Sequence, residues 1–291
     1  MSSLDPISII CGPTAVGKTA YALEIAQKTG AEIISADSGQ IYRGMDIGTA
    51  KPTPQEQKQV CFHLINILNP DEIFSAADFR ERALHAIQDI QGRGKEALIV
   101  GGTGLYIKVL EEGIFEGPSR DLELRAQLEL EIAKKGLPAL YRELQKADPE
   151  AAKTIPPENR QRIIRAVEVY RLTGKPISLF WQEHQKAPSS FWCKKIGLTL
   201  PKEELNLRIE KRIDVMMEAG LVAEVRELLE RWGPQAPGLK LIGYKEIVAY
   251  LERKISLKEA VSLIKQHSRQ YAKRQKTWFQ RDPHVEWIHR D

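Results

Sequence analysis

Residues Gly12 to Thr19 read Gly-Pro-Thr-Ala-Val-Gly-Lys-Thr, a phosphate loop of the form Gly-x-x-x-x-Gly-Lys-Thr without a mismatch. Such a loop needs a strand before it and a helix after it, and the flanking residues fit. Ile7–Cys11 is a short apolar run suited to a buried parallel strand. Ala20–Lys28 has the spacing of an amphipathic helix that stops at Gly30. A strand, a tight turn and a helix N-terminus aim several backbone N–H groups at one point, and the helix dipole adds partial positive charge there. Gly12, Pro13, Thr14, Ala15, Val16, Gly17, Lys18 and Thr19 are therefore expected to bind a diphosphate or a nucleotide. Lys18 supplies a point charge for phosphate oxygens, and the Thr19 hydroxyl is the candidate ligand for Mg²⁺. The loop alone does not separate ATP from another diphosphate.

The rest of the first hundred residues continues the strand–helix alternation. Ala31–Ala36 reads as a second strand ending on Asp37, and the loop Gly39–Pro52 follows. That places Asp37 at the carboxyl edge of a sheet, where open α/β folds hold ligands. It can cap a turn, ligate Mg²⁺ after an apolar strand, or serve as a general base beside the phosphates. Phe62–Leu68 is a third strand-like run, and its lone His63 is assigned no role. Ser75 and Asp78 form a capping-box variant that starts a helix. Ala97–Val100 is a buried strand running into Gly101-Gly102-Thr103-Gly104-Leu105-Tyr106. These glycines are expected to let backbone approach a ligand, with Thr103 offering either a hydroxyl to it or a helix N-cap.

After Gly117-Pro118 the pattern is helical, with breaks at Gly136, Pro149, Pro156-Pro157 and Gly174-Lys175-Pro176. A strand returns at Lys194–Leu200. The expected fold is α/β, a P-loop NTPase-like parallel sheet flanked by helices, with an inserted all-helical subdomain. Its core spans 1–116 and 193–291, and the insertion 117–192. Three separated cysteines give neither a metal framework nor a disulfide pattern. No apolar run is long enough to span a membrane, so a cytoplasmic protein is expected.

Net charge is only +4, but it is unevenly placed. Lys153–Pro176 holds six Lys/Arg against two Asp/Glu, and Val261–Asp291 seven against three. The last stretch interleaves Tyr271, Trp278 and Phe279 with its cations. That suits either a nucleic-acid surface or a solvated basic helix over a buried aromatic stripe. A nucleotide or small-molecule kinase and an NTP-gated RNA-binding protein both remain compatible with these residues.

The chain resembles the bacterial tRNA dimethylallyltransferases from end to end. The resemblance is carried by Gly12–Thr19, Ala36–Tyr42 with Met45–Pro52, Gly101–Tyr106, Arg160–Ser178, Arg208–Val225, Ile242–Glu246 and Arg269–Phe279. It implies transfer of a dimethylallyl group from dimethylallyl diphosphate to N6 of the adenosine 3′ to the anticodon, with Mg²⁺, by a monomer. It implies catalytic roles for Asp37 as general base, Thr103 at the target nucleotide, and Lys18 and Arg212 at the diphosphate. It places tRNA contacts at Asp37, Ser38, Gly39, Gln40, Thr103 and Arg125, and at Gln161, Arg162, Ile163, Ile164 and Arg165. Further contacts are implied at Lys240, Leu241, Ile242, Gly243, Tyr244 and Lys245, and at Lys273, Arg274, Gln275, Lys276, Thr277, Trp278, Phe279 and Gln280. One departure is Phe62-His63-Leu64-Ile65-Asn66, where the family usually has His-His-Leu-Ile-Asp.

Overall fold

A computed structural model describes residues 7–115, 117–185 and 193–290. Its six strands are β1 (Ile7–Cys11), β2 (Glu32–Ala36), β3 (Phe62–His63), β4 (Ala97–Gly101), β5 (Cys193–Thr199) and β6 (Val285–His289). They form one parallel sheet in the order β3-β2-β4-β1-β5-β6. The helices of the first half are α1 (Lys18–Thr29), α2 (Pro54–Gln59), α3 (Ala76–Gly92) and α4 (Gly104–Glu112). Next come α5 (Leu122–Lys135), α6 (Leu137–Ala147), α7 (Pro149–Thr154), α8 (Arg160–Thr173) and α9 (Ile177–Gln185). The last are α10 (Lys202–Glu218), α11 (Leu221–Trp232), α12 (Tyr244–Leu251) and α13 (Leu257–Gln280). The chain divides into one unit of Met1–Gly113 with Ser190–Asp291, and a second of Ile114–Ser189. No helix among the described residues is long and apolar enough to cross a membrane.

In the first unit both faces of the sheet are covered, which is why β4 is apolar throughout and β1 apolar but for Ser8. Alternate residues go to opposite sides. Ile10, Ile33, Leu98 and Leu198 join one core with α1, α10, α11, α12 and part of α13. Ile9, Ile34 and Ile99 join the other with α3 and α4, where Phe79 stacks on Tyr106 at 4.3 Å between ring centroids.

The topology makes the site. β1 lies between β4 and β5. From β1 the chain crosses to β2, beyond β4; from β4 it crosses to β5, beyond β1. The connections leave in opposite directions, so a crevice opens at the carboxyl ends of β1 and β4. Strand ends are level there, with Cys11 and Ala36 both opposite Gly101.

Three elements differ from expectation. The run Phe62–Leu68 is a strand only at Phe62–His63, because Leu64 and Asn66 adopt φ of 59° and 55°. Pairing resumes only as an isolated Tyr42–Leu68 bridge. Pro149 begins a helix rather than ending one: Asp148 accepts from the Ala151 N–H at 2.9 Å and Pro149 takes the first helical position. The sixth strand, β6, was not expected. It is an edge strand in which Val285 alone is buried, so it shows no alternation.

The second unit is all-helical around Leu128, Leu144, Ile163, Ile164 and Val167. Within this core the fully buried Glu168 is gripped by Arg125, at 2.7 and 2.8 Å, and by Arg165, at 2.7 Å. Burial pushes its carboxyl upward, but the two guanidiniums pull harder and leave it at about 2.

Candidate active site

The phosphate loop leaves β1 with positive φ at Gly12 (139°), Ala15 (64°) and Gly17 (96°). Lys18 folds back and donates to the carbonyls of Gly12 at 3.0 Å and Pro13 at 2.7 Å. Burial lowers its ammonium to about 8, with Asp37 offsetting part of the effect. The Val16 side chain packs into the core, leaving only its backbone to the loop.

Two cavities meet beside the loop. One, of about 370 Å³, is lined by Gly17, Lys18, Thr19, Ser35, Gln40 and Lys51 as well as by Ile33, Phe62 and Val100, and is the more polar of the two. The second, of about 210 Å³, is walled by Ile209, Ile213, Met216, Leu241, Ile242 and Ile264. Thr14, Ala15, Asp37, Thr49, Arg212 and Tyr271 line both. A ligand with an anionic head and a hydrocarbon tail would place its junction at these six residues.

Asp37 follows β2. Its Oδ1 accepts from the N–H groups of Gly39 at 2.8 Å and Gln40 at 3.3 Å, the turn-capping geometry of its simplest reading. Among the described residues Oδ2 accepts no hydrogen bond, and the same side chain lines both cavities. Capping and chemistry are thus compatible, one oxygen each. Arg212 is brought to the loop from α10, donating to Thr14 Oγ1 at 3.2 Å and to the Thr49 carbonyl at 3.4 Å. Arg208, one turn earlier, pairs with Glu204 instead. Thr103 occupies the N-cap position of α4 but makes no side-chain cap. Its hydroxyl accepts from the Ser38 N–H at 3.2 Å, so it holds the Asp37–Ser38 segment and lines neither cavity.

The glycines of the second turn are not explained by a ligand. A Cβ at Gly101 would lie 2.1 Å from the Ala36 carbonyl oxygen, at Gly102 2.2 Å from Gln275 Nε2, and at Gly104 2.3 Å from the Trp278 ring. They make room for β2 and for α13.

The expected RNA-facing residues divide sharply. Lys240, Lys245, Gln161, Arg162, Lys273, Arg274, Thr277, Trp278 and Gln280 are exposed, and Lys276 is partly so. Ile163, Ile164, Tyr244, Gln275 and Phe279 are buried, so their side chains offer no surface to a polymer. Arg125 and Arg165 are half-buried on Glu168. Ser38, Gly39, Leu241, Ile242 and Gly243 line the apolar cavity, and Gln40 the polar one, where its Oε1 accepts from Ser35 at 2.9 Å.

Sequence reasoning did not find three supports of the site. Tyr271, in sequence either a base-stacking ring or part of a buried aromatic stripe, sits at the junction of the cavities. Glu224 pins the loop over them, accepting from the N–H groups of Asp46, Ile47 and Gly48 and from the Tyr244 hydroxyl at 2.7 Å. Lys51 is buried and donates to Asn66 at 2.6 Å as well as to Asp46, which gives the unusual Asn66 a neutral acceptor's role. His63 pairs with the buried Glu32 at 2.7 Å. Glu32, Cys61 and His63 approach within 4.8 Å of one another. Arg93 and Lys95 already hold the Glu32 carboxylate and keep it well below the usual range, so the cluster is an ion-pair network rather than a metal site.

Fold and site together define a doubly wound α/β protein with a glycine-rich strand–turn–helix loop beside an apolar compartment. A family model described as IPP transferase matches residues 40–282. The chain belongs to the IPP transferase family. It is 51% identical to a tRNA dimethylallyltransferase of Geotalea uraniireducens over 96% of this chain and 91% of that protein. It is 49% identical to that of Geobacter metallireducens, over 96% and 91%. The crystal structure of a tRNA isopentenylpyrophosphate transferase from Bacillus halodurans superposes with a TM-score of 0.73 at 41% identity, covering 98% of this chain and 90% of that one. A eukaryotic dimethylallyltransferase captured acting on tRNA superposes at 0.81 with 29% identity, covering 98% and 73%.

Proposed function

We propose that the protein transfers a dimethylallyl group from dimethylallyl diphosphate to N6 of the adenosine 3′-adjacent to the anticodon in tRNA, releasing diphosphate. The observation that carries this is the junction, at Asp37, Arg212 and Tyr271, of an apolar cavity with the more polar one beside Lys18 and Thr19. Family membership supports the same reading. A kinase acting on a small polar acceptor has no use for the apolar compartment.

In this reading the N6 lone pair attacks C1 of the dimethylallyl group as the C1–O bond breaks. The electron pair of that bond leaves on the diphosphate, where Lys18, Arg212 and the loop amides meet the developing charge. The exocyclic amine is nearly non-basic because its lone pair is shared with the ring, so it must lose its proton as the bond forms. Asp37 Oδ2 receives that proton, while the Gly39 and Gln40 amides hold Oδ1 in place. Thr103 acts through Ser38 by fixing this segment.

The cavity suits Mg²⁺: the Thr19 hydroxyl is a hard oxygen ligand beside Lys18, while Asp37 is kept for the proton. Held there by Thr19 and the phosphate oxygens, the ion would neutralise charge on the diphosphate. The target base must leave the anticodon stack to enter, and the exposed cations of α13 would hold the backbone around it. In this reading the protein works in the cytoplasm, where its tRNA substrate is.

The test is to incubate the protein with labelled dimethylallyl diphosphate and either unmodified tRNA or AMP, with Mg²⁺ or with chelator. Label in tRNA alone, abolished by chelator, is expected. Label in AMP alone would make this a nucleotide prenyltransferase, and label in neither would overturn the transfer reading.

A further inference from the structure

Helix α13 presents two faces of different character. Lys273, Arg274 and Thr277 are exposed, whereas Gln275 is 6% exposed. Both ends of the Gln275 amide are used. Oε1 accepts from the Thr14 backbone N–H at 2.8 Å, and Nε2 donates to the Gly102 carbonyl at 2.9 Å. A buried amide satisfied at both ends by two separate loops is a fixed strut, since losing either partner leaves a buried polar group unpaired. Gly102 accommodates it, because any side chain there would collide with Nε2 at 2.2 Å. Thr14 lies in the front half of the phosphate loop. Beyond it, the N–H groups of Ala15, Val16 and Gly17 find no backbone acceptor among the described residues. The strut therefore steadies the loop without occupying the amides an anion would use.

We infer that Gln275 couples the two substrates: it transmits engagement of α13 by tRNA to the phosphate loop, so that each ligand strengthens binding of the other. This rests on the reading above, in which α13 faces RNA and the loop holds diphosphate. The physical route is short. Nucleic-acid phosphates on Lys273 and Arg274 immobilise the helix. The immobilised Gln275 holds Thr14, and the loop then has less conformational freedom to lose when diphosphate binds. Linkage makes the effect reciprocal and of equal size in both directions. Gln275 is thus a positioning residue: it borders the larger cavity, but both ends of its amide are committed to Thr14 and Gly102. A glutamine that merely filled space would stabilise the fold and leave the two affinities independent.

The test uses non-reacting probes, inorganic diphosphate with Mg²⁺ and an unmodified anticodon stem-loop. The Kd of each is measured calorimetrically with and without saturating amounts of the other. In the wild type the two ratios should agree and reach at least ~5-fold. In Gln275→Met, which keeps the length and loses the amide, both ratios should fall to near one, while each Kd measured alone changes by less than that. Gly102→Ala attacks the same strut from the opposite side and should lower the ratio too; thermal melting identifies whichever variant is folded. A folded variant that retains the wild-type ratio overturns the coupling. A wild type that binds both probes with a ratio of one overturns it while leaving the proposed function intact. A wild type that binds neither overturns both.

Discussion

The phosphate loop and the second glycine-rich turn sit side by side at the same sheet edge, and in sequence they look alike. Their glycines answer to different forces. Gly17 has φ 96° and open space where a Cβ would go, so it is required by backbone conformation. Gly102 and Gly104 have ordinary φ and no space: Gln275 and Trp278 fill the volume a side chain would need. The first segment is bent so that the N–H groups of Ala15, Val16 and Gly17 find no backbone acceptor among the described residues. The second is stripped bare so that α13 can press against it. A glycine motif near a site therefore does not by itself mean contact with ligand, and the distinction lies in what surrounds the missing Cβ.

Asp37 lies between these two segments and tests the division hardest. Asp37→Asn keeps the turn cap to Gly39 and Gln40 but cannot take a proton. Single-turnover transfer at saturating tRNA should fall by about 10²–10⁴-fold with tRNA affinity unchanged. A near-normal rate would reduce Asp37 to its capping role and leave the chemistry without a base.

Changes on the loop side should come next. Removing one charge-stabilising donor by Lys18→Met or Arg212→Met should lower kcat and kcat/KM together by roughly 10²–10³-fold. If Arg212→Met instead weakens only tRNA binding, its place at Thr14 is structural. Lys18 also has a pH signature. Burial holds it at about 8 in the free protein, below the ordinary 10.5. Bound diphosphate favours the ammonium and raises that value. Below about 8 the group is protonated in both states. Above it, binding must take up a proton, so diphosphate affinity should fall as pH rises, and this part of the fall should vanish in Lys18→Met. For folding the sign is opposite: the depressed lysine costs stability most below about 8 and progressively less as pH climbs toward 10.5. Calorimetry in buffers of different ionisation enthalpy measures the proton uptake.

Much of this was legible before any coordinates. The loop spacing locates β1 and α1, because Gly-x-x-x-x-Gly-Lys-Thr encodes a local backbone shape. Asp37 could be placed at a strand end for the same local reason. What failed was non-local. Nothing in Phe62–Leu68 reports the sign of φ at Leu64 and Asn66. An edge strand with one buried residue carries no period to read. Gln275 lies among exposed Lys273, Arg274 and Thr277, and only the tertiary fold decides that it turns inward. Tyr271 is on the same side one turn earlier, which is why its place between the cavities was missed.

On the turn side, Gly104→Ala should behave as overpacking rather than as loss of chemistry. The new methyl would meet the Trp278 ring at 2.3 Å, and the ring must swing away. A cost of about 1–3 kcal/mol in stability is expected, read by thermal or urea unfolding. Diphosphate affinity should be unchanged and tRNA affinity reduced, since Trp278 belongs to the exposed face of α13. A loss of diphosphate binding with no loss of stability would place a ligand against this turn and erase the contrast with the loop.

The mildest perturbation concerns the outer face of α13, which the division assigns to RNA alone. Lys273 and Arg274 are exposed, and neither has an ion-pair partner among the described residues. Arg269, on the same helix, is by contrast tied to Glu210 at 2.6 Å, and Lys265 to Asp214 at 2.6 Å. A cation free of acidic neighbours is available to phosphates, and each phosphate contact releases a counterion. Lys273→Gln combined with Arg274→Gln should therefore weaken tRNA binding and make log Kd less steep against log salt by up to about 1.4–1.8. Neither residue lines the cavities, so Mg²⁺-diphosphate affinity measured alone should stay at its wild-type value. Affinities for tRNA at several salt concentrations decide the matter. Equal slopes in wild type and variant would make this face an ordinary solvated one. The tRNA would then have to be held elsewhere, and α13 would press on the glycine turn for packing alone.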